Sequence, residues 1–231
     1  MKNGTVLGNK AKIREMTLLA MFIAIILVMI FVPYMGFITI PPGLSVTLIH
    51  LPVLIGAVLL GRKGGIILGL TFGIGSFLRA LTSVGLDYLF IFPWVSILPR
   101  FIFGFLIYDV YRLLHRLVKV RLVALMIAFF TMTVIHTLIV LPMLVTTFPI
   151  ALGNASLLSI LGDATATAET FSSWSGLWLL IGIVMGSNGI IEAAIAGTIG
   201  AVIADRLIAF RDKNAGKNVG RESGEVDADT D

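Results

Sequence analysis

Long apolar runs, parted by short polar breaks, carry the chain from near its start to residue 208. The first run, Met16 to Val32, is closed by Pro33 and then by Pro41-Pro42-Gly43. The second, Leu44 to Leu60, ends at Gly61-Arg62-Lys63, and the third extends from Gly64 to about Leu81. A glycine-containing polar break, Ser83 to Asp87, precedes a fourth run from about Phe92 to Tyr108, with Pro93 and Pro99 near its start. The basic stretch Arg112 to Arg121 leads into a fifth, Leu122 to about Val145. Thr146 to Ser175 is more polar, holding Asn154, Asp163 and Glu169. The last run, Leu177 to Ile208, exceeds one crossing and reads as a shorter leading segment followed by a span from about Gly186. A helix needs about 20 mostly apolar residues to cross about 30 Å of hydrocarbon. Strands of a membrane barrel alternate over roughly ten residues, whereas these runs are longer and uniformly apolar. The pattern predicts an all-α membrane protein with six transmembrane helices. No small-residue cleavage site follows the first run, so it reads as a span and not as a removed signal peptide.

Composition agrees with this reading. Hydrophobic residues make up 58% of 231, charged residues 13%, and mean hydropathy is +1.02. Soluble chains carry about 25% charge, so lipid must supply part of the solvent. The chain has no cysteine, which excludes disulfides, thiol nucleophiles and thiolate metal sites.

Charge placement orients the helices. Cytoplasmic loops are enriched in Lys and Arg. Fifteen of the 17 basic residues fall before the first span, in the Arg62-Lys63 and Arg112–Arg121 breaks, and from Arg206 onward. Six spans with both termini cytoplasmic put all fifteen on one side. Seven would place the C-terminal cluster outside. The net charge of +4 thus reflects topology and not a nucleic-acid partner. The expected organisation is a cytoplasmic N-terminus (1–13), a membrane domain (14–209) and a disordered cytoplasmic tail (210–231) in a multi-pass plasma-membrane protein.

Arg79 and Arg100 break the segregation, lying toward the outer ends of the third and fourth spans. Charge at membrane depth is costly and faces a cavity or a partner. They are candidates to bind an anionic or polar solute. The alternatives are internal pairing with Asp87 or Glu192, or snorkelling to the headgroups. Asn188 and Glu192, four residues apart, share one face of the last span. They either line a ligand site or bond a neighbouring helix. His136 lies in the outer part of the fifth span, and His50 begins the second. Without a carboxylate at ligand spacing the histidines make no metal site, and no cofactor is expected. Aromatics gather at the outer ends, among them Tyr88, Trp94, Trp174 and Trp178. They suit an interfacial belt, while the run from Tyr88 through Trp94, Phe90 and Phe92 included, flanks the arginine side of the fourth span and suits the wall of a small-molecule site. Gly65, Gly69 and Gly73 form a small-residue stripe for close helix contact, and Ala20 and Ala24 form a smaller one on the first span. The chain shows no HExxH, no nucleophile elbow, no nucleotide loop and no internal repeat of the carrier kind, so it is not read as an enzyme.

Six spans, the alanine pair, Ile49-His50-Leu51-Pro52-Val53-Leu54-Ile55-Gly56, Gly61-Arg62-Lys63-Gly64, Leu98-Pro99-Arg100-Phe101-Ile102-Phe103-Gly104 and Ser187-Asn188-Gly189-Ile190-Ile191-Glu192-Ala193 together resemble the substrate-binding S component of energy-coupling factor (ECF) vitamin transporters. The resemblance covers about residues 14 to 209 and is strongest to the pantothenate-type branch, with riboflavin- and pyridoxine-type members close by. It implies capture of a water-soluble vitamin from outside, no ATPase activity, and docking on a transmembrane subunit driven by two ATPases. It implies a docking face at Ala20 and Ala24, a ligand near Asn188, and a lid in the first loop, 33–45. A stand-alone solute carrier is the alternative of a different class. A carboxylate ligand gives Arg79 or Arg100 a purpose through charge-assisted bonding.

Overall fold

A computed structural model describes the backbone of residues 3–32, 35–40 and 44–228, and the side chains of 12–32, 35–36 and 47–214. The fold is a helical bundle. Helix α1 is Asn3–Phe31, followed by strands β1 (Phe37–Ile40) and β2 (Leu44–Thr47) and helix α2 (His50–Ala80). A 3-10 helix, Gly85–Ile91, leads into α3 (Pro93–Leu117), and α4 is Arg121–Val145. Three short helices follow: α5 (Phe148–Leu152), α6 (Ala155–Leu161) and α7 (Ala164–Phe171). The last rod comprises α8 (Trp174–Val184), α9 (Ile190–Ile195) and α10 (Ala201–Ala228), joined by π-helical turns at Met185–Gly189 and Ala196–Gly200. The segment from 210 onward, expected as a tail, is described as backbone of α10.

Among the described residues, Lys12–Phe31, His50–Ala80, Arg121–Leu152 and Trp174–Asn214 are each long and apolar enough to cross a membrane. Gly85–Ile91 and Pro93–Leu117, bent by 78° at their junction, make a fifth candidate when taken together. By length alone α2 is one crossing, but its contacts make it two arms. Gly61 has φ 75° and ψ −171°, a backbone state open to glycine and strained for other residues. Across it, a Cβ placed on Gly56 would meet Leu68, and one on Gly65 would lie 3.0 Å from the Cβ of Ala57. In a straight helix residues 8 and 12 apart are about 12 and 18 Å apart. Arms 50–60 and 62–80 therefore run antiparallel, turning at the Gly61-Arg62-Lys63 break.

The second run does not begin as a helix. Leu44–Thr47 pairs antiparallel with Phe37–Ile40, with Phe37 opposite Thr47 and Ile40 opposite Leu44. This corrects the all-α expectation: the bundle carries one two-stranded ribbon. Ile38, Thr39, Ile40, Val46 and Thr47 are β-branched and favour extended backbone, and the proline-containing stretch between the strands suits no helix interior. The tip, 41–43, lies outside the described residues, as does part of the expected lid loop.

The glycine stripe works within the chain. A Cβ on Gly65 would meet the carbonyl oxygen of Gly104, and one on Gly69 that of Arg100. Arm 62–80 and α3 are packed backbone to backbone, which fixes Arg100 against that arm.

Basic residues collect at one end of the bundle. Arg62 forks onto Asp109 at 2.6 and 2.9 Å, Arg121 meets Asp205 at 2.7 Å, and Arg211 donates to the carbonyl of Leu59 at 3.0 Å. The apolar interior divides along the bundle axis. Phe22, Ile26, Leu54, Phe72, Phe103, Phe129 and Met132 belong to one cluster toward the basic end, and Leu89, Leu144, Phe148 and Leu180 to another at the far end. On α4, His136, Thr137 and Val140 lie between Met132 and Leu144, and a polar cavity opens at that level.

Candidate functional site

The cavity is built from several helices, on the side away from the basic end. Arm 62–80 contributes Ser76 and Arg79, α3 contributes Arg100, and α4 contributes His136, Thr137 and Val140. The last rod supplies Val184, Asn188 and Glu192, and Phe90, Asp87 and the strand end Thr47 complete the wall. The empty space it encloses, open solvent at the mouth included, is about 840 Å³.

Arg100 is the most deeply held charge, 4% exposed. One terminal nitrogen donates to the carbonyl of Val95 at 2.5 Å. The guanidinium lies over two rings, 4.7 Å from the centre of Phe90 and 5.3 Å from that of Phe72. Such contacts stabilise a desolvated cation, and the rings hold the planar group in one orientation. Its Nε has no hydrogen-bond partner among the described residues, and neither do Ser76 Oγ and His136 Nε2 on the same wall. His136 packs against Phe103 at 4.9 Å and Phe72 at 6.0 Å. Buried polar atoms normally find partners; these three, on residues that line one cavity, have none among the described residues.

On the opposite wall, Oε1 of Glu192 accepts the backbone N–H of Thr47 at 2.5 Å, tying the end of β2 to the last rod. Asn188 lies in the first π turn, one helical turn before Glu192. π turns widen a helix locally and recur at functional sites. At the mouth, Arg79 faces Asp87 at 3.7 Å, the internal pairing that the sequence offered as an alternative for this arginine.

Of the seven candidate ligand residues, the structure brings together Arg79, Arg100, His136, Asn188 and Glu192 on one cavity. It does not bring Tyr88 and Trp94 there; Trp94 is 42% exposed and stacks with Phe92. Phe90 takes the aromatic position instead. Pro93 opens α3 after a non-helical Phe92, so the helical phase does not continue across this bend and the inward aromatic is reassigned. Sequence reading missed Thr47, Ser76 and Thr137, whereas Phe90 lies within the Tyr88–Trp94 aromatic run that it set beside the arginines. Ser76 and Arg79 are three apart on one helix face, a spacing that gives Ser76 away once Arg79 is chosen. Thr47 carries no such signal. Ala20 and Ala24 are both exposed on α1, remote from the cavity.

A membrane bundle with a basic end and, toward its other end, a polar cavity walled by a buried arginine has the build of a solute-binding membrane protein. The chain belongs to the family of ECF transporter substrate-specific components, whose family model matches residues 14–204. It is a transport component of the cell membrane and not an enzyme. Among curated proteins, the pantothenic acid transporter PanT of Lactococcus lactis subsp. cremoris (strain MG1363) is similar to it, 28% identical over 222 residues that cover 89% of this chain and all of that protein.

Proposed function

We propose that this chain captures pantothenate from the outer side of the membrane and passes it to an ECF module for uptake. The observation that carries the ligand assignment is Arg100, buried on the cavity wall between two aromatic rings with Nε unpartnered. A buried cation is costly to desolvate, and a carboxylate supplies the charge-assisted bonds that relieve it. Ser76, His136, Thr137 and Asn188 offer groups for the hydroxyls and amide of pantothenate. The similarity to a pantothenic acid transporter supports the same ligand.

In this reading the two arms of α2 are separate crossings, the first completed by strand β2, and the bundle crosses six times. Strand-like backbone at this depth is tolerated where protein covers it. The segregation of basic residues supports cytoplasmic termini and an outward cavity. The membrane domain is 14–209. A transmembrane subunit and two ATPases dock on the exposed Ala20–Ala24 face.

Equilibrium binding to purified protein tests the ligand. Labelled pantothenate is expected to bind saturably, and pantothenol, its neutral alcohol analogue, far more weakly. Arg100→Gln should weaken pantothenate by roughly 30-fold, the order expected for a lost charge-assisted bond, and should erase the preference over pantothenol. Absence of saturable binding at micromolar pantothenate sinks the assignment and turns the search to riboflavin and pyridoxine.

A further inference from the structure

A second cavity adjoins the first. It is lined by Thr82, Gly85, Ile160, Asp163 and Thr167 on the loop after α2 and on α6–α7, and it shares Arg79, Ser83 and Asp87 with the inner cavity. These three residues form the partition between the two. Asp87 is central to it. Its carboxylate is 3.7 Å from Arg79, with side chains 20% and 28% exposed, and Arg100 lines the same inner cavity. One acid thus shares with two arginines the wall of a cavity where an anion is expected.

We propose that Asp87 is a built-in counter-anion: it balances Arg79 and Arg100 in the empty protein, and an anionic ligand arriving through the outer cavity displaces it. This rests on the reading of the ligand as a carboxylate. Asp87 approaches Arg79 at 3.7 Å, and a ligand carboxylate that forks onto an arginine forms charge-assisted bonds of about 2.7–2.9 Å. Asp87 is carried on a seven-residue 3-10 helix anchored by buried Leu86 and Leu89, so what the ligand displaces is the Asp87 side chain and not the helix. While Asp87 remains close, it also repels the incoming carboxylate. The residue thereby lowers affinity for the anionic ligand and keeps the empty cavity electrostatically balanced.

The proposal reverses the usual expectation for a residue on a binding wall. Asp87→Asn should bind pantothenate on the order of tenfold more tightly, the effect of removing a like charge at short range, while pantothenol affinity stays within twofold. Asp87→Glu keeps the charge and should behave like wild type, which separates charge from folding. If Asp87→Asn weakens pantothenate, the residue is a ligand contact; if it shifts pantothenate and pantothenol alike, its role is structural. Either result overturns the proposal. A second readout is independent of pantothenate. Propanoate, at concentrations of tens of millimolar, should raise the melting temperature of Asp87→Asn protein more than that of wild type. An equal rise in both overturns the counter-anion role even if pantothenate proves not to be the ligand, and loss of pantothenate binding in wild type counts against the ligand assignment alone.

Discussion

Glu192 shows how a membrane-depth carboxylate on a cavity wall also holds distant backbone in place. Its oxygen holds the N–H of Thr47, and Thr47 ends the ribbon beside the cavity. A hydrogen bond to a charged group contributes about 1.5–3 kcal/mol. Glu192→Ala should therefore speed hydrogen exchange at the Thr47 amide by tenfold or more, read by exchange mass spectrometry, and Glu192→Gln, which keeps an acceptor, should speed it less. Equal effects from both variants would mean that the charge matters more than the bond. At this scale the sequence was informative where local geometry sufficed. Arg79 and Arg100 stood out against the charge segregation, and the four-residue spacing of Asn188 and Glu192 put both on one wall. Thr47 was invisible, because its partner is 145 residues away. Tyr88 and Trp94 were misplaced because a bend of 78° resets which aromatic faces inward.

At the scale of elements, glycines divide into two kinds with separable costs. Gly61 turns α2 back with φ 75° and ψ −171° and has nothing near its absent Cβ, so Gly61→Ala incurs only backbone strain, about 1–3 kcal/mol. Gly69 sits on a helix contact where a Cβ would run into the carbonyl of Arg100. Relief there requires α3 to move away, and with it the arginine. Thermal unfolding in detergent should show a modest loss for Gly61→Ala and a larger one for Gly69→Ala, and only the latter should also reduce ligand affinity. If the two variants melt alike, backbone contact between arm 62–80 and α3 does not limit stability. The helical runs and the break at Gly61 were readable from apolar length and turn residues. The ribbon was not, because Leu44–Thr47 is as apolar as the helix that follows, and only pairing with Phe37–Ile40 distinguishes it.

The whole molecule separates its tasks by position. The basic end holds α2, α3, α4 and α10 together through arginine–carboxylate contacts. The polar cavity lies toward the other end, and α1, packed along α2, contributes no residue to its wall. Only 17% of the apolar window of α1 is buried, against 56% in α2 and 50% around α4. Phe22, Ile26 and Ile30 turn inward, while Ala20 and Ala24 face out among Met16, Met21 and Val28. Two small side chains there lower the surface so that another helix can approach closely, which is how contacts form in lipid, where burial of apolar surface gives little drive. Bulky residues at both positions should block that approach without reaching the cavity. Ala20→Trp combined with Ala24→Trp is expected to keep pantothenate affinity within twofold, to lose co-purification with the transmembrane subunit and the ATPases, and to abolish uptake in cells. Uptake that survives the double substitution would place the docking face elsewhere on the bundle. Uptake that survives removal of the ATPases themselves would mean that the chain carries solute alone.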